Sequence, residues 1–119
     1  MEHENFPVYK LALDLIDDIT AICKRITTQD FLFIKDQLMR ASSSIVLNIA
    51  EGAGKWTKRD KINFYRISRG SAYECRAALD LLVRYKIIDN ETASKLKDKL
   101  YAVSCGLDNL MASISKRRI

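Results

Sequence analysis

Placed at about 100° per residue, the apolar positions of this chain gather into stripes, the mark of amphipathic helices. From Pro7 to Ile26, one face holds Val8, Leu11, Ala12, Leu15, Ile16, Ile19, Ile22, Cys23 and Ile26. Lys10, Asp14, Asp17, Asp18, Lys24 and Arg25 take the other, so this is a surface helix with one buried stripe. Pro7 suits its first position, where a backbone N–H would have no helical partner. A fourth periodic segment follows the break at Lys86–Asn90, with Asp89 or Asn90 as its N-cap. Its stripe is Ala93, Leu96, Leu100, Val103, Leu107, Leu110, Met111 and Ile114, and Gly106 is a cost within it. Its basic end, Lys116, Arg117 and Arg118, complements the C-terminal dipole.

The two middle segments are less simple. From about Asp30 to Ala53, the core stripe is Ile34, Leu38, Ala41, Ile45 and Ile49. Leu32, Met39, Val46 and Ala50 form a second apolar line, nearly opposite. A helix apolar on two faces is covered on both, so this line is an expected oligomer interface. The other reading is a helix enclosed within a monomer. From about Lys58 to Tyr85, Phe64, Ile67, Ser71, Cys75, Ala78, Leu81, Leu82 and Tyr85 point one way, and Thr57 is positioned to cap. The links between segments are short. The expected fold is therefore all-α, an antiparallel up-down-up-down four-helix bundle formed by residues 1–119 as one domain.

Composition narrows the picture. The chain of 119 residues has one Pro and four Gly, too few for turn-rich β structure. It has no apolar run long enough to span a membrane. Its first residues are acidic and polar, unlike a signal peptide, so a cytoplasmic location is expected. Cys23, Cys75 and Cys105 are widely spaced within helical patterns and read as buried free thiols.

Charge is unevenly spread. The net charge is +5, yet residues 55–86 hold nine basic and three acidic residues. On the third helix, Lys58, Arg59, Arg66, Arg69, Arg76 and Arg84 fall within an arc of about 100°, with Lys55 and Lys61 near its start. Such a row is the footprint of a protein that grips phosphate backbones, and arginine's planar fork suits that task. The competing readings are a solvated face and pairing with the acidic face of the first helix, in this subunit or a neighbour. Trp56, the only Trp, either stacks on an exposed base or plugs the end of the bundle.

Catalytic chemistry is not evident. The single His, His3, lies in a tail expected to fray, and no metal-ligand spacing, nucleophile–base pair or phosphate-cradling loop is present. Gly52 and Gly54 read as a helix end that tolerates positive φ. Gln37, Arg40, Ser44, Asn48 and Glu51 line one side of the second helix, and Ser71 and Glu74 lie on or beside the buried face of the third. They are expected to form a structural polar network, with Arg40 or Asn48 bonded to Glu74. No enzyme activity, cofactor or metal is expected.

The same residues carry a family resemblance. Gln37-Leu-Met-Arg40-Ala41-Ser-Ser-Ser44-Ile45-Val-Leu-Asn48-Ile49-Ala50-Glu51-Gly52 resembles the signature QLxRAxxSIxxNIAEG, and Phe64 to Glu74 resembles FxxxAxGSxxE, with Ser68 in place of Ala. The segment VYKLALDL at Val8–Leu15 fits the same pattern. The family is that of S23 ribosomal, or 23S rRNA intervening-sequence, proteins. It includes the accessory variability determinant of diversity-generating retroelements. The resemblance implies a four-helix bundle that forms a homopentamer and has no enzyme activity. For the retroelement member, it also implies binding of DNA or RNA through a basic surface and binding of a reverse transcriptase. The expected function is thus a homo-oligomeric, non-enzymatic accessory protein that binds nucleic acid. The alternative is an oligomeric protein–protein scaffold.

Overall fold

Helix α1 (Pro7–Cys23) begins with Pro7 at its first turn, as its fixed φ favours. The computed structural model describes residues 1–117. α1 ends earlier than its apolar stripe suggests. Past Cys23 the chain tightens to three-residue bonding, with Arg25 N–H donating to the Ile22 carbonyl at 2.9 Å and Ile26 N–H to Cys23 at 3.0 Å. Ile26 stays buried, so the stripe outlasts the regular helix. A 3-10 turn at Gln29–Phe31 then leads into α2 (Leu32–Ala53), which starts two residues later than the sequence pattern predicts.

α3 (Lys58–Arg84) is capped by Thr57, whose hydroxyl accepts from the Asp60 N–H at 3.1 Å. It stops at a left-handed residue, Lys86, with φ 62. Lys86 N–H donates to Val83 at 3.0 Å and Ile87 N–H to Leu82 at 2.9 Å, a Schellman stop that satisfies the last carbonyls. α4 (Asn90–Lys116) is capped by Asp89, whose carboxylate accepts from the Thr92 N–H at 2.8 Å. That bond holds the Asp89 carboxyl below the usual aspartate range. Among the described residues there is no strand.

The four helices form a bundle 51 × 24 × 20 Å in extent. α2 packs on α3, α3 on α4, and α1 closes against both α2 and α4. Cross-helix contacts run in opposite chain directions. Ser68 meets Ile45 where Ser71 meets Ser44, Arg69 meets Asp108 where Arg76 meets Lys97, and Val8 lies at Gly106 where Asp18 meets Lys99. The α2–α3, α3–α4 and α1–α4 seams are therefore antiparallel. Leu15, Ile19, Ile34, Leu38, Ile45, Ile49, Tyr65, Leu79, Leu82, Leu100, Val103 and Leu107 are fully buried. Each aliphatic side chain buried this way contributes roughly 1.5–3 kcal/mol.

Several expectations need correcting. α3 is buried as predicted at Ser71, Cys75, Ala78 and Leu82, but its buried stripe is centred about 60° round the helix from the predicted one. Tyr65, Ser68, Ala72 and Leu79 are buried, while Ile67 and Leu81 are 51% and 41% exposed. The inner side is taken by residues with partners on α2: Ser68 bonds the Ile45 carbonyl and Tyr65 lies against Gly52. Leu11 is likewise exposed on α1. The N-terminal tail is ordered as a 3-10 turn at Glu2–Asn5, and the His3 ring meets Tyr9 edge-on at 4.8 Å.

Gly52 and Gly106 serve close packing rather than positive φ. A Cβ on Gly52 would lie 2.6 Å from the Tyr65 ring, and one on Gly106 would lie 2.8 Å from Val8 Cβ. No glycine of the described chain has positive φ. Cys23 and Cys75 are buried free thiols as predicted, and burial pushes Cys75 up to about 12. Cys105 is only half-buried.

Candidate nucleic-acid interface

The eight basic residues singled out on and before α3 do not form one uniform face. Half are engaged by their own chain. Lys55 lies 3.7 Å from Glu51 and over the Phe64 ring at 4.9 Å. Lys61 reaches back 2.8 Å to the Ala53 carbonyl, satisfying an end of α2. Arg69 Nε sits 2.8 Å from Asp108 on α4, and its guanidinium covers Tyr73 at 4.8 Å. Arg76 donates to the Lys97 carbonyl at 2.8 Å. Lys97 in turn pairs with Asp80. The pairing anticipated with α1 is not found: among the described residues no member of this row pairs with an acid of α1. Arg69 and Arg76 meet α4, and Lys55 and Lys61 meet the end of α2.

The other half is different. Lys58, Arg59, Arg66 and Arg84 have no ion pair or side-chain hydrogen bond among the described residues. Arg59, Arg66 and Arg84 are exposed, and Lys58 is half-buried. Three of the four lie in the first third of α3, which concentrates unneutralised charge at one end of the bundle. The C-terminal end of α4 lies there too, as the antiparallel α3–α4 seam requires. Its Arg117 reaches Glu2 at only 3.9 Å. Arg118 lies outside the described residues.

Trp56 stands at this same end. It is 98% exposed, so it does not plug the bundle. The loop from Gly54 to Thr57 carries it past the last turn of α2, and the Thr57 cap fixes where α3 begins. At the adjoining end of α2, buried Tyr65 lies so close to Gly52 that even a Cβ there would meet its ring.

Apart from Ser71, which is buried, the predicted polar set lies along the outer edge of the α2–α3 seam. Asn48 donates to the Ser44 hydroxyl at 2.9 Å and to its carbonyl at 2.8 Å, and Ser71 donates to the Ser44 hydroxyl at 2.8 Å. Gln37 donates to Glu74. Neither expected bond to Glu74, from Arg40 or from Asn48, is present: Asn48 lies about three turns along α2 from Gln37 and is bonded to Ser44. Arg40 and Glu51 are exposed, and Glu51 faces Lys55 instead. The deeper polar contact involves Ser68, which sequence reasoning passed over. Its buried hydroxyl donates to the Ile45 carbonyl at 2.8 Å.

The expected oligomer line is only partly open. Leu32 and Met39 are 36% and 39% exposed, while Val46 packs against the chain's own core and Ala50 is half-buried. More exposed apolar side chains flank the polar set. Leu47 is 62% exposed and Phe33 57%. Leu47 and Ile67 each lie one turn from the Ser44–Ser71 pair, in the same direction along antiparallel helices. Phe33 and Leu81 lie beyond Gln37 and Glu74 in the other direction. The signal for this edge was the spacing of Phe33 and Leu47 from the motif's polar residues, once α3 is placed in its true orientation.

Among the described residues, no group of His, Cys, Asp and Glu is placed to hold a metal ion. None of the described helices is long and apolar enough to cross a membrane.

The fold and surface define an all-α bundle with polar seams and one basic end. The chain belongs to the family of 23S rRNA-intervening sequence proteins, whose model matches residues 4–109. It is similar in fold to a crystal structure from Bacteroides thetaiotaomicron, a protein of unknown function from the S23 ribosomal protein family. That likeness has a TM-score of 0.81 at 24% identity and covers 87% of this chain and 97% of that one. Among curated proteins, none matches this chain. The family inferred from the two motifs is the family found.

Proposed function

We propose that this protein is a non-enzymatic accessory protein of the cytoplasm that works as a homo-oligomer and binds DNA or RNA. The observation that carries the reading is the group of basic side chains on α3 with no partner in their own chain: Lys58, Arg59, Arg66 and Arg84. A backbone polyanion supplies the missing partners without needing a shaped pocket. Self-association through the outer α2–α3 edge would bury Phe33, Leu47, Ile67 and Leu81. It would also repeat the basic end around the assembly, raising avidity without new contacts. The family resemblance favours a pentamer and, for retroelement relatives, a reverse transcriptase as protein partner.

The test replaces Lys58, Arg59 and Arg66 with Glu. Arg69 and Arg76 are left intact because they already have partners on α4. Wild-type protein should bind mixed-sequence DNA or RNA with affinity that falls steeply as salt rises. The triple variant should lose that binding while its helical circular dichroism is unchanged. Wild-type protein that shifts neither nucleic acid at physiological salt would overturn the reading. It would favour the scaffold alternative, with an acidic protein on the same basic end. A solution mass equal to one chain at about 50 µM would overturn the oligomer.

A further inference from the structure

We propose that the ligand of the basic end is single-stranded nucleic acid, held by stacking of one base on Trp56. This inference rests on the nucleic-acid reading above and adds the class of strand. An indole 98% exposed has its ring face open to solvent. The residues around it are mostly cationic: Lys58, Arg59 and Arg66 follow along α3 with Asp60 among them, and Lys55, which precedes it, faces Glu51. Lys58, Arg59 and Arg66 are also the unpartnered members of the row, whereas Arg69 and Arg76, farther along α3, are tied to α4.

The setting of the indole narrows its occupant. A hot-spot Trp in a protein interface sits amid packed apolar neighbours, and a membrane-anchoring Trp shares its face with other apolar side chains. Trp56 has neither: its sequence neighbours are Gly54, Lys55, Thr57 and Lys58. One aromatic plane beside several cations matches the combination that holds single strands, a stacking platform next to a phosphate track. A duplex keeps its bases stacked on each other and offers only phosphates to the same surface. Trp56 would therefore discriminate by strand state, and the cations would supply affinity common to both forms.

Because Trp56 is the only Trp, its intrinsic fluorescence reports this site alone. The experiment titrates the full chain with a short oligouridylate and with a duplex RNA of equal length. Expected is saturable quenching by the single strand and little by the duplex. Trp56→Ala should weaken single-strand binding about 5- to 150-fold, Trp56→Phe should restore most of it, and duplex binding should change less than twofold in both. Trp56 makes no packing contact that these variants would remove, so circular dichroism should be unchanged.

Three outcomes would overturn the inference. If oligouridylate binding is sensitive to Arg66→Glu but indifferent to Trp56→Ala, stacking is rejected while the nucleic-acid reading stands. Emission that shifts with anionic lipid vesicles but not with oligouridylate would make Trp56 a membrane contact. Wild-type protein that binds neither strand form rejects the nucleic-acid reading and this inference together.

Discussion

The two seams of α3 are built from opposite materials. Toward α2, the buried contacts are neutral: Ser68 on the Ile45 carbonyl, Ser71 on Ser44, and Tyr65 lying where Gly52 has no Cβ, while the charged groups Glu74 and Lys61 meet α2 only at the outer edge and the end of the seam. Toward α4, the contacts are charged: Arg69 with Asp108, Asp80 with Lys97, and Arg76 on the Lys97 carbonyl. A neutral, close-packed seam fixes register through shape and loses little in salt. A charged, partly exposed seam adds little net stability, because solvent screens it and ordering long side chains costs entropy. Its greater consequence is electrostatic. By using Arg69 and Arg76 internally, the α4 seam confines unpaired positive charge to the ends of α3.

This contrast can be broken at its strongest point first. Tyr65→Ala should destabilise the fold by about 3–5 kcal/mol, read from urea unfolding followed by circular dichroism, because it empties the packing beneath α2. A loss below about 1 kcal/mol would mean that the neutral seam does not hold the bundle. Gly52→Ala should cost about 1–3 kcal/mol by overpacking against the same ring, and Tyr65→Leu should relieve part of that penalty. Ser68→Ala should cost about 1 kcal/mol for one buried hydrogen bond.

Across the charged seam, Arg69→Gln and Asp108→Asn should shift the urea midpoint least. Their small effects should shrink further at high salt, unlike those at Tyr65 or Ser68. Acid should also separate α4 from the α2–α3 pair. The Asp89 cap carries a carboxyl whose folded pKa is depressed by the Thr92 N–H. Its stabilisation is complete above the ordinary aspartate range and is lost as pH falls through the depressed value. Asp89→Asn keeps a capping oxygen but removes the proton. Its urea midpoint should therefore fall less between pH 6 and pH 3 than that of the wild type. An equal fall in both proteins would exclude Asp89 as a source of acid sensitivity.

Much of this molecule was determined by the sequence alone. The helical period, Pro7, the Thr57 and Asp89 caps and the short links define four helices and most of the core, because each is a local property of a few residues. The two motifs at Gln37–Gly52 and Phe64–Glu74 also identify the family. Only the tertiary structure decided where round α3 the buried stripe is centred. Ser68 and Ala72 are weakly hydrophobic, yet both are buried, with Ser68 bonded to the Ile45 carbonyl and Tyr65 against Gly52, while Ile67 and Leu81 are left outside. It also decided the fate of the arginine row. Helical angle shows which residues share a face, but not whether Asp108 or the Lys97 carbonyl stands opposite them. The exposure of Trp56 was decided there too: at the adjoining end of α2 Tyr65 lies against Gly52, a contact between residues on different helices that periodicity along one chain cannot register.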